Sequence, residues 1–113
     1  MPLYLFRSRY TQVGITGVMA EGGSKRLAAV ETLVASCGGT LIGAWWALGD
    51  DDFISVVDLP DHAAATKLAT TVASSGAATI STTVLMTAAD IDEAARRHST
   101  YRAPGRPTGQ GRD

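Results

Sequence analysis

Five side chains in or beside the predicted strands are the strongest candidates for contact with a ligand. They are Arg7, Trp45, Trp46, Asp52 and Ser55. Arg7 and Ser55 interrupt apolar segments, and a polar group in the middle of a sheet needs a partner, which can be protein, water or ligand. Trp45 and Trp46 are consecutive, so a strand points their rings to opposite faces. One ring then belongs to the core, and the other either lines a pocket or packs across an interface. In an enzyme, Arg7 or Asp52 could polarise a substrate in such a pocket.

The other residues that could do chemistry are too few or too scattered to predict a metal site, a cofactor or a nucleophile. The two histidines, His62 and His98, and the single cysteine have no spacing typical of a zinc site. Residues 50–52 are three adjacent carboxylates, whereas a calcium loop spreads its ligands over about twelve residues. Residues 17–24 resemble a phosphate-binding loop, but Gly23 stands at the lysine position. The sequence therefore predicts no metal and no cofactor.

The segments that position these residues have the order β-α-β-β-α-β. Strands are predicted at residues 3–10, 40–48, 52–59 and 78–86, and helices between Ser24 and Gly38, between Asp61 and Ser74, and from Thr87 onwards. Ser24, Asp61 and Thr87 can each cap the helix that follows, whereas residues 11–19 are compatible with a loop or a short helix. The turn at residues 49–51 makes the middle strands a hairpin. Right-handed crossovers then give an α+β, ferredoxin-like two-layer sandwich with a short C-terminal helix.

Both faces of the predicted strands are apolar. In the second strand, alternation places Leu41 and Trp45 on one face and Ile42 and Trp46 on the other. A sheet covered by helices on one face normally has a polar open face that meets water. Because large bare apolar patches are rare on soluble monomers, the sequence predicts a homodimer or higher homo-oligomer. The alternative is a monomer whose open face lies under its own loops or terminal helix.

The charge distribution divides the chain into an acidic body and a basic tail. Residues 1–95 carry a net charge of −5, and residues 96–113 carry +4. We place the domain at residues 1–97 and predict that the Gly-, Pro- and Arg-rich residues 98–113 form a disordered tail. An acidic body repels phosphates, so any contact with nucleic acid would be weak and confined to the tail. Without a signal peptide or an apolar run of roughly 20 residues, the sequence predicts a cytoplasmic protein that binds no membrane.

The hairpin sequence resembles that of a known family. Residues 45–52, an apolar strand and the Leu-Pro-Asp of residues 59–61 resemble the GYD-domain family of small bacterial proteins, named for a Gly-acid-Tyr-Asp hairpin. The resemblance covers roughly residues 3–95, with Gly49 kept and Asp51 in place of the tyrosine. It implies the dimeric α/β-barrel superfamily, in which two ferredoxin-like sheets face each other and enclose pockets. That superfamily includes cofactor-free monooxygenases, haem enzymes and ligand-sensing modules.

Three functional hypotheses follow from these observations. The leading one is a homo-oligomeric α/β-barrel module, with itself as partner, that binds a small apolar or aromatic ligand between the sheet and the helices. The second is a cofactor-free enzyme of the monooxygenase or isomerase kind. The third is a structural assembly subunit whose basic tail recruits an acidic partner. A buried pocket with convergent polar groups favours the first two hypotheses, and a solid interior favours the third.

Overall fold

The computed structural model describes residues 2–106, whose elements follow the predicted order with two helices in the first crossover. The elements are β1 Leu3–Tyr10, α1 Gln12–Glu21, α2 Gly23–Ser36, β2 Thr40–Trp46, β3 Phe53–Asp58, α3 His62–Ser74, β4 Ala78–Leu85 and α4 Ala88–Arg96. Strand β2 ends two residues earlier than predicted, because the chain leaves the sheet after Trp46. Strand β3 begins one residue later than predicted, at Phe53, and ends one residue earlier, at Asp58. The predicted short C-terminal helix is present as α4.

The strands form one antiparallel sheet in the order β2-β3-β1-β4. Strands β1 and β3 are therefore central, as the sequence analysis expected for the strands of Arg7 and Ser55. In their pairing, Phe6 lies opposite Ser55, and Ser8 lies opposite Phe53. This strand order, with helices in both crossovers, is that of a ferredoxin-like sandwich. The predicted α+β fold class is confirmed.

The helices cover the sheet face that carries the hydrophobic core. Tyr4 and Phe6 of β1 and Val57 of β3 are almost completely buried on this face. They pack in one cluster with Val34 of α2 and Leu68 of α3. Full burial of such a side chain contributes roughly 1.5–3 kcal/mol. Burial on the helix-covered face therefore stabilises the domain.

A β-bulge in β2 determines which of its residues share a face. The pairing of β2 with β3 shifts between Leu41 and Gly43, so Ile42 is the additional residue. The prediction that Leu41 and Trp45 share a face is wrong, because the bulge reverses the alternation beyond it. Leu41 packs against the core under the helices. Trp45 pairs with Ile54 and lies on the other side of the sheet, which we call the open face.

The segment whose sequence was compatible with a loop or a short helix forms helix α1. The hydroxyl of Thr11 accepts the backbone N–H of Gly14 at 3.1 Å and caps the first turn. The same hydroxyl donates to the carbonyl of Gly76 at 2.8 Å, and the Thr11 N–H donates to the carbonyl of Ala77 at 2.9 Å. The start of α1 is therefore held against the turn that precedes β4.

Two of the three predicted helix caps are present. Asp61 and Thr87 cap α3 and α4, each with a side-chain oxygen that accepts a backbone N–H. The prediction that Ser24 caps α2 is wrong, because α2 begins at Gly23 without a side-chain cap. Gly22 determines where α2 begins, because the chain turns there between α1 and α2 with a φ of 89°, a conformation that favours glycine.

The C-terminal part of the described chain lies on the surface. Helix α4 buries no residue, and residues 97–106 are exposed except for a partly buried Ala103. The predicted disorder of residues 98–113 stays a prediction, and residues 107–113 lie outside the described residues. Between residues 2 and 106, the helices are too short or too polar to cross a lipid bilayer.

Candidate functional site

A cavity of about 380 Å³ lies between the sheet and helices α1, α2 and α3. Apolar side chains form most of its wall, among them Val18 of α1, Val34 of α2 and Val72 of α3. The exposed residues Val13 and Thr71 belong to the same lining, so the cavity reaches the surface. Ligand pockets generally measure roughly 300–1,000 Å³, so this cavity has room for a small molecule.

The floor of the cavity is a square of two serines and two phenylalanines on the central strands. Ser8 and Phe6 come from β1, and Ser55 and Phe53 come from β3, with each serine opposite a phenylalanine. Both serines are buried, with 7% of Ser8 and 4% of Ser55 exposed. Valine or leucine at these positions would fill part of the space above the sheet. The small serine side chains are thus one reason why the cavity exists.

Gly17 leaves the cavity open on the side of α1. It lines the cavity, and a Cβ atom at Gly17 would have no other atom within 4 Å. One turn earlier on the same helix, a Cβ at Gly14 would collide with the backbone of Ala77. Gly17 is exposed, so a longer side chain there would have room at the rim of the cavity without displacing other atoms.

The ionisable residues of the lining are Tyr10, Glu21 and Arg26. Arg26 Nη1 lies 3.7 Å from Glu21 Oε2, and about a third of each side chain is exposed. Burial raises the pKa of the Tyr10 hydroxyl, an effect only partly opposed by contact with Trp46 and by the charge of Arg26. Tyr10 is thus a neutral hydrogen-bonding group at physiological pH. The charged groups of the lining belong to α1 and α2 rather than to the sheet.

Comparison with known protein families identifies the family of this chain. The sequence profile of the GYD domain matches residues 4–95, which is most of the chain. The chain belongs to the GYD domain family. The resemblance expected from the hairpin is confirmed, and the ferredoxin-like topology fits the family. Comparisons with curated proteins and with solved structures found no significant match.

The cavity of this GYD domain contains one of the five predicted ligand-contact residues, Ser55. Trp46 lies on the same face of the sheet but outside the lining, where its ring packs against Phe53 at a centroid distance of 4.8 Å. Trp46 is also near Gly23, at the start of α2. It therefore supports the floor of the cavity from the side.

Asp52, the last residue of the GYD hairpin motif, holds the backbone in place. Its Oδ2 atom accepts the N–H of Tyr10 at 2.9 Å. Its own N–H donates to the carbonyl of Ser8 at 2.8 Å. The carboxylate thus positions the end of β1, which carries two residues of the cavity lining.

Arg7 and Trp45 lie on the open face, away from the cavity. Arg7 is exposed, and its Nη2 donates to Thr83 Oγ1 of the neighbouring strand at 3.5 Å. Trp45 is 59% exposed, and its ring covers the position where Gly43 has no side chain. The structure thus divides the predicted contact residues among the cavity, the hairpin and the open face.

Sequence reasoning identified no lining residue except Ser55, and Ser8, Tyr10 and Gly17 are among those it missed. Alternation along β1 could have indicated the first two, because Tyr4, Phe6, Ser8 and Tyr10 must share a face. No sequence signal distinguishes Gly17 from a glycine in a loop. Among residues 2–106, no three His, Cys, Asp or Glu side chains come together as they would around a metal ion.

Proposed function

We propose that this GYD domain is a binding module that holds a small apolar or aromatic molecule in the cavity between its sheet and its helices. The observation that supports the proposal is the cavity of about 380 Å³, whose wall is mainly apolar and whose floor is aromatic. Transfer of apolar surface from water into such a wall is favourable by roughly 25 cal/mol per Å². Phe6 and Phe53 offer ring surfaces against which an aromatic ligand can stack.

The cavity argues against a purely structural subunit, because such a protein would fill its core with side chains. The enzyme alternative needs an acid, a base or an electrophile beside the substrate. The ionisable candidates of the lining are Tyr10 and the Glu21–Arg26 pair. Arg26 is already near a carboxylate, so we favour binding over catalysis. We place the module in the cytoplasm, where the free thiol of Cys37 would stay reduced.

A direct test fills the cavity from Gly17. Naphthalene is the probe, and its binding is measured by isothermal titration calorimetry on the full chain. We expect Gly17→Leu to weaken naphthalene binding at least about tenfold, since a leucine side chain at this position of the lining would narrow the cavity at its rim. Ala20→Leu is the matched control, because Ala20 is exposed on the same helix and is not part of the lining. Absence of saturable binding, or equal loss in both variants, would contradict the proposal.

We also propose that two copies of the domain associate through their open faces. Leu3, Leu5, Ile54 and Val56 form a contiguous apolar area on the central strands, beside the exposed ring of Trp45. Helices α1, α2 and α3 pack on the other face of the sheet, and α4 has no buried residue. An uncovered apolar area next to an exposed tryptophan is typical of a surface that meets another protein.

The charges of the open face support a second copy as the partner. Arg7 and Arg9 lie at one end of the central strands, and Asp58 lies at the other end, opposite Leu3. A two-fold axis that crosses the strands would bring the arginines of one copy towards Asp58 of the other. The face is therefore electrostatically complementary to itself.

A further inference from the structure

The hydroxyls of Ser8 and Ser55 point to the chemical class of the ligand. We infer that the ligand is an uncharged apolar ring compound with one hydroxyl or carbonyl group, held by these two serines. The inference rests on the proposed binding function and adds the polar part of the ligand. Phenols, ring alcohols and ring ketones belong to this class.

The two serines form one polar patch in an otherwise apolar and aromatic floor. Because Ser8 pairs with Phe53 and Ser55 pairs with Phe6, the serines occupy diagonal positions on neighbouring central strands. Diagonal neighbours on one face have Cα atoms about 7–8 Å apart, so both hydroxyls border the same part of the cavity. One ligand oxygen between them could accept a hydrogen bond from one serine and donate to the other.

Neither serine hydroxyl is used by the protein itself. Both residues are more than nine-tenths buried, and both line the cavity. Within residues 2–106, neither side chain makes a hydrogen bond to another group. Within residues 2–106, the one fully enclosed side-chain oxygen or nitrogen without a hydrogen-bond partner is Asp58 Oδ1, so the serine hydroxyls border the open space of the cavity. Hydroxyls in such a position are usually satisfied by water or by a ligand. The two serines therefore offer unused hydrogen-bonding capacity at the floor of the cavity.

The ligand needs a polar group because removal of water from these hydroxyls costs free energy. A purely apolar molecule on the floor would displace their water and return no hydrogen bond. A ligand with an oxygen at this point restores the bond while its ring covers Phe6 and Phe53. The serines thus discriminate between a hydrocarbon and its hydroxylated counterpart.

The ligand group at the serines must be uncharged. The sheet contributes no charged side chain to the lining, so a carboxylate on the floor would be buried without a counter-charge. Arg26, the cation of the lining, lies 3.7 Å from Glu21 and is partly exposed. The charge balance of the lining therefore favours a phenol over the corresponding acid.

Three probes of the same ring size separate these possibilities on the unaltered chain. They are naphthalene, 2-naphthol and 2-naphthoate, and their affinities are measured by isothermal titration calorimetry at pH 7. We expect 2-naphthol to bind about three- to tenfold more tightly than naphthalene, as one neutral hydrogen bond allows. We expect 2-naphthoate to bind more weakly than either.

Serine variants identify the anchoring residues. Ser8→Ala and Ser55→Ala should each reduce the advantage of 2-naphthol, and the double variant should bind 2-naphthol and naphthalene with equal affinity. Affinity for naphthalene should stay the same or increase. Ser24→Ala is the matched control, since Ser24 is exposed on α2 and outside the lining. A general structural role of the serines would instead change the affinity of both probes together.

The outcomes distinguish this inference from the binding function on which it rests. If no probe binds the unaltered chain, the proposed function fails. If naphthalene and 2-naphthol bind equally well, or if the serine variants weaken both alike, the binding function stands and the serine anchor is wrong. If 2-naphthoate binds most tightly, an anionic ligand at Arg26 replaces the neutral one proposed here. The comparison of the three probes on the unaltered chain tests the inference even if a variant does not fold.

Discussion

Asp52 connects the β2–β3 hairpin to the end of β1 with its side chain and its backbone. Its carboxylate accepts the N–H of Tyr10, its N–H donates to Ser8, and its carbonyl accepts the N–H of Ala47. Sequence reasoning selected Asp52 as a ligand contact because a carboxylate at the start of a strand could polarise a substrate. The hydrogen bonds indicate that its carboxylate has a structural use.

Replacement of the Asp52 carboxylate is expected to destabilise the domain. Asp52→Ala leaves the N–H of Tyr10 without its acceptor and should lower the free energy of unfolding by about 1–3 kcal/mol. Asp52→Asn retains an acceptor oxygen and should cost less. Urea unfolding followed by tryptophan fluorescence measures the differences.

Asp51 supplies the matched control for Asp52. Asp51→Ala removes the adjacent carboxylate but keeps the bond to Tyr10. Asp51→Tyr, which restores the tyrosine of the GYD motif, should stay within about 0.5 kcal/mol of the unaltered chain. Equal stability of Asp52→Ala and Asp51→Ala would show that the Tyr10 bond contributes nothing. Gross unfolding of Asp51→Tyr would refute the expectation that the turn tolerates an aromatic ring.

Residue patterns predicted one residue of the cavity lining but not the cavity itself. Ser55 was identifiable because it interrupts an apolar strand. Ser8 was identifiable only by counting along β1 from Phe6, since its neighbours Arg7 and Arg9 make that segment look generally polar. The volume above the serines depends on where α1 stands over the sheet. That position is a tertiary property that no residue type encodes locally.

Helix α1 shows how tertiary contacts decide a weak local preference. Two glycines and several β-branched residues lower its intrinsic helix propensity. Sequence reasoning therefore left residues 11–19 open between loop and helix. The bonds from Thr11 to the turn before β4 fix the first turn of the helix in place. Long-range contacts of this kind are invisible in a local pattern.

The two glycines of α1 should respond to alanine with opposite signs. Gly14→Ala places a methyl group against the backbone of Ala77 and should destabilise the domain by about 1–3 kcal/mol. Gly17→Ala meets no atom within 4 Å and should stabilise the helix by up to about 1 kcal/mol. Thermal and urea unfolding of both variants measure the two effects. Equal effects would mean that α1 does not pack on the turn before β4 as described.

The whole molecule has two different sheet faces, one closed by helices and one open. Apolar residues on both faces were apparent from the sequence, and so was the ferredoxin-like order of elements. The sequence also placed the two tryptophans on opposite faces, but it assigned the wrong one to the face of Leu41, because the bulge at Ile42 reverses the alternation of β2. Bulges depend on how a strand accommodates its neighbour, so residue types alone seldom reveal them.

Association through the open face predicts a mass of at least twice 11.8 kDa in solution. Light scattering at micromolar concentration measures it. Trp45→Asp places a charge in the apolar area and should shift the mass to that of a single chain. Leu48→Asp is the matched control, because Leu48 is fully exposed in the hairpin loop. A stable, well-folded monomer of the unaltered chain would refute the association, and an unchanged mass for Trp45→Asp would place the interface elsewhere.

The bulge in β2 also bears on the solubility of the protein. Strand β2 is an edge of the sheet, and an edge strand with free backbone groups can recruit further strands without limit. The bulge between Leu41 and Gly43 interrupts the regular spacing of those groups, so a foreign strand finds no continuous template there. Growth of fibres by edge-to-edge addition is thereby discouraged. The irregularity that sends Trp45 to the open face thus also makes the β2 edge a poor template for the addition of another strand.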